Sequence, residues 1–552
     1  MYSMLIRIIS CILSLSMELS AWCFAFPGTA SGYNGSWYGD VNGNNIVDID
    51  DAAQVVGYLL HINTFSAGQL LRADADRNGD ITLKDVLRIT GTAYNRYGLI
   101  PYKNEDDPDD GGDDETPFVL GEYDLIVSPD GDDSWSGRLC EPDSSGADGP
   151  LRTIERAKEI LSAQKSQLHD SVRVWLRGGT YALTEPLAFG SGDASGVEFC
   201  AYPDEKPEIT ASGQISSWSE TKINGVTVWK SNVGMPELNS LYRGNEMLKR
   251  SRFPKTGYFT VADVSDKDAF DPTSWNFKCH KAFYAKDGDV INFHNVKDVD
   301  IRILHLWKDE LMPLESCSLP ERRVSLSKYT TMTVRVGDRY YYENVLEALS
   351  EPGEWYYDRP EGTVYYVPFE TDVINSTVLR YGALETMLTI DGCSDISFSG
   401  ITFRDTGWSL KSNSSCSMTN ANGETISGLA SPQAASDVSS AIKASNSDNI
   451  SFSNCSFTNI GMTALKFCEN TQSCSVKHCR FYNIGASAVT IQGENLPDDN
   501  PSVVHGIDVT NCYIERYGRV FNYATGILLI HANHCSLSNN EIHDGYYSGI
   551  SA

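Results

Sequence analysis

Between Ala441 and Ala552 one short pattern is written several times over, and few folds can accommodate it. The first copies are Ala441-Ile442-Lys443 with Asn449 to Phe457, then Ala464-Leu465-Lys466 with Cys474 to Phe481. Two more are Ile507 to Ile514 with Thr525-Gly526-Ile527, and Cys535 to Ile542 with Ser548-Gly549-Ile550. Each copy is a pair of short alternating strands broken by Asn, Ser and Gly, at a solenoid period. No single copy can bury its apolar face, so Ile450, Val476, Val509 and Leu537 are expected to stack into a core. The pattern predicts a parallel β-helix.

Strands stacked at about 4.8 Å per coil line equivalent positions into columns. One column holds Cys455, Cys479 and Cys512, flanked by Asn454, His478, Asn511 and Asn539. A second, at the corner after the next strand, holds Asn459, Asn483, Arg516 and Asp544. The Asn and Cys columns read as ladders that stabilise corners. Secretion would permit disulfides among the 14 Cys, while stacked core thiols can equally stay free as small hydrophobes.

A chain of 552 residues exceeds one small core and predicts two or more domains. Its net charge of −29 argues against nucleic acid or an anionic membrane surface as partner. Residues 1–25 combine Arg7, an apolar run from Ile8 to Met17 and a Cys23-Phe24-Ala25 end, which reads as a signal peptide of an extracellular protein. No later apolar run approaches the ~20 residues of a membrane span. Residues 101–117 form an acidic run with Gly and Pro, an extended linker. The final segment, Tyr546 to Ala552, stops in mid-coil, so either another chain covers that edge or further coils follow.

Two loops precede the linker. Asp40, Asn42, Asn44, Asp48 and Asp51 occupy positions 1, 3, 5, 9 and 12 of the first, and Asp74, Asp76, Asn78, Thr82 and Asp85 the same positions of the second. Oxygen donors at that spacing fold around a hard cation, and each loop runs into an apolar helical stretch, so structural calcium is expected. The tandem loop-helix pair, with Asp at position 12, resembles a dockerin module over residues 38–97. That resemblance implies a cohesin domain of a scaffolding protein as partner, with partner choice read at Ile49-Asp50 and Leu83-Lys84. Asn44 and Asn45 depart from the usual Asp and Gly and would weaken the first site.

Residues 122–552 form the large domain. An amphipathic helix over Pro150 to Leu161 is placed to cap the open end of the coil stack. Coil grammar lapses over about 241–369, where aromatic strands such as Val364 to Val367 mark an inserted β domain. Residues 409–440 read as a long loop or a poorly formed coil. Ser128-Pro129-Asp130-Gly131, Leu176 to Tyr181, Ala201-Tyr202-Pro203 and above all Asn344 to Asp358 with Tyr365 to Pro368 resemble glycoside hydrolase family 141. The resemblance implies xylan hydrolysis or removal of α-L-fucose from pectin, and fixes the architecture better than the reaction. The expected fold is mainly β: a right-handed parallel β-helix with an inserted β domain, after a small α-helical calcium-binding module.

Glycoside hydrolysis needs two carboxyl groups, about 5 Å apart for retention or about 6.5 to 9.5 Å for inversion. Aligning the coils sets Glu515 against His543 and Arg516 against Asp544, so charge enters the corner column only in the last coils. Glu515 and Asp544 form the leading pair, with His543 beside them, Glu541 next and Asp405 in the same column several coils away. Glu494 leaves the stack after Ile491. The blander reading makes these solvated surface groups or corner ion pairs. His531, His534, His543 and Asp544 lack the tight spacing of a zinc site. Trp408, Tyr517, Tyr523, Tyr546 and Tyr547 are candidates for stacking on sugars. Two other classes stay open: a polysaccharide lyase, for which the stacked Lys443 and Lys466 supply a base on a different strand, and a non-catalytic carbohydrate-binding protein.

Overall fold

The structure is a computed structural model that describes residues 120–552 apart from 169–171, 266, 268, 273–276, 411–415, 429–430, 495–499 and 501. Before them it describes 37–38, 41, 49–59, 64–75, 81, 85–86, 89 and 100–101. The chain divides into two compact units, residues 1–119 and 120–552. In the first, helices α1 (Ile49–Leu59) and α2 (Ala67–Ala73) pack over Val41, Ala52, Val55, Ala73 and Ile89. Ser66 opens α2 with a reciprocal capping box to Gln69, which satisfies two of the amide groups that a helix start leaves without partners.

The second unit is a right-handed parallel β-helix whose coils visit three faces in turn. Face one has seven parallel strands from Leu187–Gly190 to Ile550–Ser551, face two eight from Leu125–Val127 to Ser536–Ser538, and face three seven from Gly179–Ala182 to Glu541–His543. Inward side chains stack by type. Phe199, Phe398 and Phe452 lie 5.5 and 5.1 Å apart, and Phe403, Phe457 and Phe481 5.3 and 4.6 Å apart. The face-two register differs from the expected one. Val476 pairs with Phe452, and Ile450 with Ile396, so the core column runs Phe452, Val476, Val509, Leu537. A shift of two residues keeps every side chain on its face, so alternation alone could not tell the two registers apart.

The corners explain the Asn columns. Between faces two and three Asn454, His478, Asn511 and Asn539 have φ of 52, 54, 55 and 54°. After face three, Asp405, Asn459, Asn483, Arg516 and Asp544 have φ of 62, 58, 57, 58 and 55°. A one-residue corner demands the left-handed region, which Asn and Asp enter most readily among residues with a side chain, and Gly400 (φ 71°) occupies the same slot. The cysteine column is buried, and each thiol donates to backbone, as Cys479 Sγ does to Phe452 O at 3.5 Å. Cys455, Cys479 and Cys512 are free thiols.

Helix α3 (Ile154–Gln164) closes the N-terminal end by burying Ile154, Ala157 and Leu161. Thr153 caps it: its Oγ1 accepts from Arg156 N at 3.2 Å and donates to Asp133 Oδ2 at 2.8 Å. Thr153→Ala is expected to lower the unfolding free energy by about 1 kcal/mol, read as a shifted denaturant midpoint at constant slope.

Three long excursions leave at one corner, between faces three and one: residues 211–387, 406–439 and 516–526. The first is wider than the stretch of 241–369 that loss of coil grammar marks out. Its antiparallel sheets recruit Ser212–Ile215, Ser219–Asn232 and Leu379–Gly382, whose alternation resembles that of coil strands. The second, expected as a loop, holds a hairpin, Cys416–Thr419 with Thr425–Gly428. Leu311 of the inserted domain packs with Trp408, Leu410, Val520 and Phe521, and Asn239 Nδ2 donates to Trp408 O at 3.1 Å. The three excursions thus brace one another beside the coils.

Candidate active site

Glu515 ends the face-three strand Tyr513–Glu515, and the parallel register sets it opposite His543 of the next coil. Asp544 follows in the left-handed corner, which turns its carboxylate back toward that rung. Ligand atoms of Glu515, His543 and Asp544 all lie within 4.8 Å of one another. His543 is fixed on both sides: Nε2 is 2.8 Å from Tyr513 Oη, Nδ1 is 3.1 Å from Asp544 Oδ2, and the ring stands edge-on to Tyr513 at 5.1 Å. Arg480 Nη2 lies 3.6 Å from Glu515. Glu541 is exposed on the same outward side, 3.8 Å from His543 Nε2.

Glu515 lies in a groove of about 480 Å³ along face three, with Glu208, Asn245, Arg404, Arg480 and Tyr482. The inserted domain supplies one wall. Tyr482 Oη donates to Glu246 Oε1 at 3.1 Å, Arg516 Nη2 pairs with Glu246 at 3.5 Å, and Asn483 Nδ2 donates to Asn245 O at 2.8 Å. The arrangement brings two carboxyl groups close together, and Glu515 lines one end of a channel that is polar, aromatic and open. The same compactness suits a cation, but Tyr513 and Asp544 already engage both ring nitrogens of His543.

The structure does not bring Asp405 to this pair. It is fully buried, and its Oδ2 accepts from Arg380 Nε at 2.7 Å and Arg404 Nε at 3.0 Å, while Oδ1 accepts from Asn459 Nδ2 at 2.9 Å. A carboxylate so enclosed holds the corner. His531 and His534 occupy left-handed corners of their own and do not join a ligand cluster among the described residues. Trp408, Tyr517 and Tyr523 are buried packing residues, whereas Tyr546 and Tyr547 are exposed. Glu494 lines a different groove, on face one. Spacing along the chain does not single out Arg480 and Tyr482, which alternate outward in one strand, or Trp307, exposed at a hairpin tip.

Of the expected calcium ligands, Asp40, Asn42, Asn44, Asp48, Asp76, Asn78 and Thr82 lie outside the described residues. Asp51 and Asp85, at the twelfth position of each loop, are fully buried. Two enclosed carboxylates at matching loop ends fit a hard-cation site in each loop.

Residues 38–91 match the dockerin type I domain family. No curated protein matches the chain. Among solved structures, one named only as a glycoside hydrolase is 20% identical, covers 77% of this chain and 79% of its own, and superposes with a TM-score of 0.64. A structure of XylC with xylose is 13% identical over 76% of this chain and 59% of its own, with a TM-score of 0.37. PfbA, a surface adhesin of Streptococcus pneumoniae, is 10% identical over 70% and 57%, with a TM-score of 0.25. The chain therefore carries a dockerin type I segment, followed by a parallel β-helix of the fold seen in that glycoside hydrolase.

Proposed function

We propose that this protein is an extracellular glycoside hydrolase acting on plant cell-wall polysaccharide, xylan foremost or fucosylated pectin, and carried on a scaffolding protein by its dockerin segment. The observation that carries the reading is the Glu515 and Asp544 pair, with ligand atoms within 4.8 Å, of which Glu515 lines an open groove. That separation supports a retaining mechanism, in which one carboxylate attacks the anomeric carbon and the other protonates the departing oxygen, then activates water in the second step. His543, held between Tyr513 and Asp544, orients the Asp544 carboxylate. Glu515, which lines the groove beside Arg480, is assigned as the nucleophile, and Asp544 as the acid and base.

In the N-terminal unit Asp51 and Asp85, with the other loop oxygens, would hold calcium, whose chemistry there is to close and stiffen the two loops for a cohesin. Chelation is expected to abolish cohesin capture while leaving turnover of a soluble oligosaccharide within about twofold, checked by surface binding and reducing-end release on one sample. Loss of both together would place calcium in the β-helix instead.

The deciding experiment incubates the protein with xylans and fucosylated pectic oligosaccharides and weighs the products. Addition of water across the cleaved bond supports hydrolysis. An unsaturated product absorbing in the ultraviolet would replace this reading with the lyase, and binding without turnover would favour the non-catalytic class.

A further inference from the structure

A second groove, of about 370 Å³, lies on the outward side of face one, on another side of the coil from the carboxyl pair. Its lining includes Asp437, Lys443, Lys466, Glu469, Gln492 and Glu494. The register sets Lys443 beside Lys466, and Lys466 and Cys468 beside Thr490 and Gln492, so the groove crosses three consecutive rungs. At about 4.8 Å per rung its floor extends for roughly 10 Å along the stack.

The polar groups on that floor are unequally engaged. The Lys443 ammonium is held by Glu469 at 3.1 Å. Lys466 donates to Ser436 O at 3.2 Å, which uses one of the three protons an ammonium carries, and burial pushes its pKa down. Gln492 Oε1 is buried without a donor among the described residues. One rung therefore offers spare donors and the next an unmet acceptor. A hydroxyl donates and accepts at once, so adjacent hydroxyls on one molecule satisfy both. A ligand carrying carboxylates would meet Asp437 and Glu494 along the same wall, which opposes it.

An exposed aromatic is tied to the groove's wall through a short chain of hydrogen bonds. Trp307 is 51% exposed, braced edge-on by Phe277 at 5.9 Å. Its neighbour Lys308 donates to Ser431 O at 2.8 Å, and Ser431 Oγ accepts from the backbone N–H of Asp437 at 2.9 Å. The hairpin tip that bears Trp307 is thereby pinned to the segment forming the groove's wall. Alternating hydroxyl partners beside an exposed indole is the chemistry that recognises a pyranose ring, polar at its rim and apolar on its face.

We infer that the face-one groove is a binding subsite for a neutral, hydroxyl-rich glycan chain, with Lys466 and Gln492 as its polar floor and Trp307 as its stacking platform. The choice of a glycan rests on the hydrolase reading; the two fail separately, because this site is read by the effect of groove substitutions on binding in a turnover-deficient background and the carboxyl pair by turnover.

The test is titration calorimetry of the full chain with xylohexaose, cellohexaose and hexagalacturonate, all in the Glu515→Gln background so that the probe is not turned over, comparing Glu515→Gln alone with the same chain carrying Lys466→Met or Trp307→Ala. At least one neutral hexasaccharide is expected to bind, Lys466→Met and Trp307→Ala each weakening that binding about tenfold relative to Glu515→Gln alone. Hexagalacturonate is expected to bind at least about tenfold more weakly than the neutral probe. Absence of neutral binding tighter than about 1 mM, a preference for the uronate, or unchanged affinity in both groove variants overturns the inference. Should Lys466→Met lose its fold by circular dichroism, Trp307→Ala at its exposed position decides alone.

Discussion

Glu515→Gln and Asp544→Asn are each expected to lower kcat by about three orders of magnitude while leaving the unfolding midpoint unchanged. Each substitution removes a charge but keeps size and shape, and Asn tolerates the left-handed corner at position 544 as Asp does. Neither carboxylate is enclosed: Glu515 meets Arg480 at 3.6 Å across partly exposed side chains, and Asp544 is largely solvent-facing. An exposed ion pair contributes at most about 1 kcal/mol to stability, so a large loss of activity cannot be charged to the fold. The double variant should lose scarcely more than either single one, since residues acting as one unit are not additive. The anomeric configuration of the first product, read by NMR before mutarotation, should be retained. Inversion would mean that the pair opens to admit a water, and near-normal kcat in either variant would remove that residue from catalysis.

What the sequence made legible was periodic, and what it hid was assembled across the period. The coil stack, its capping helix and the Asn corners follow from local spacing, and the alignment of Glu515 with His543 needs only a count along successive coils. Spacing could not choose the face-two register, because Ile450 and Phe452 are both apolar and share a face; only the neighbouring coil's packing decides that Phe452 meets Val476. Nor could it measure the excursion at residues 211–387, whose flanking strands alternate as coil strands do. The groove on face one is hidden for a third reason. Lys466 and Gln492 come from consecutive coils, but the Asp437 wall and the Trp307 hairpin arrive from two separate excursions, and no window of the chain contains them together.

Asp405→Asn is expected to do the reverse of Asp544→Asn, although both residues stand in one corner column with φ of 62 and 55°. Asp405 is fully buried between Arg380 and Arg404 and also accepts from Asn459. Removing its charge takes a carboxylate from two guanidinium groups in a poorly solvated corner; Arg404 keeps Glu208 at 2.9 Å with Gly244 O and Asn245 Oδ1, and among the described residues Arg380 keeps the carbonyl of Gly244. Breaking a buried pair in this way costs about 3–5 kcal/mol. Asn retains the left-handed preference and nearly the same volume, so backbone strain and a cavity are excluded as causes. The expected result is a large fall in the denaturant midpoint with kcat of the folded fraction within about twofold of wild type. An intact midpoint with lost turnover would return Asp405 to the chemistry and show that substrate reaches four rungs along the column. The contrast between the two variants separates what a corner carboxylate does when neighbouring arginines enclose it from what it does when the stack leaves it open to a groove.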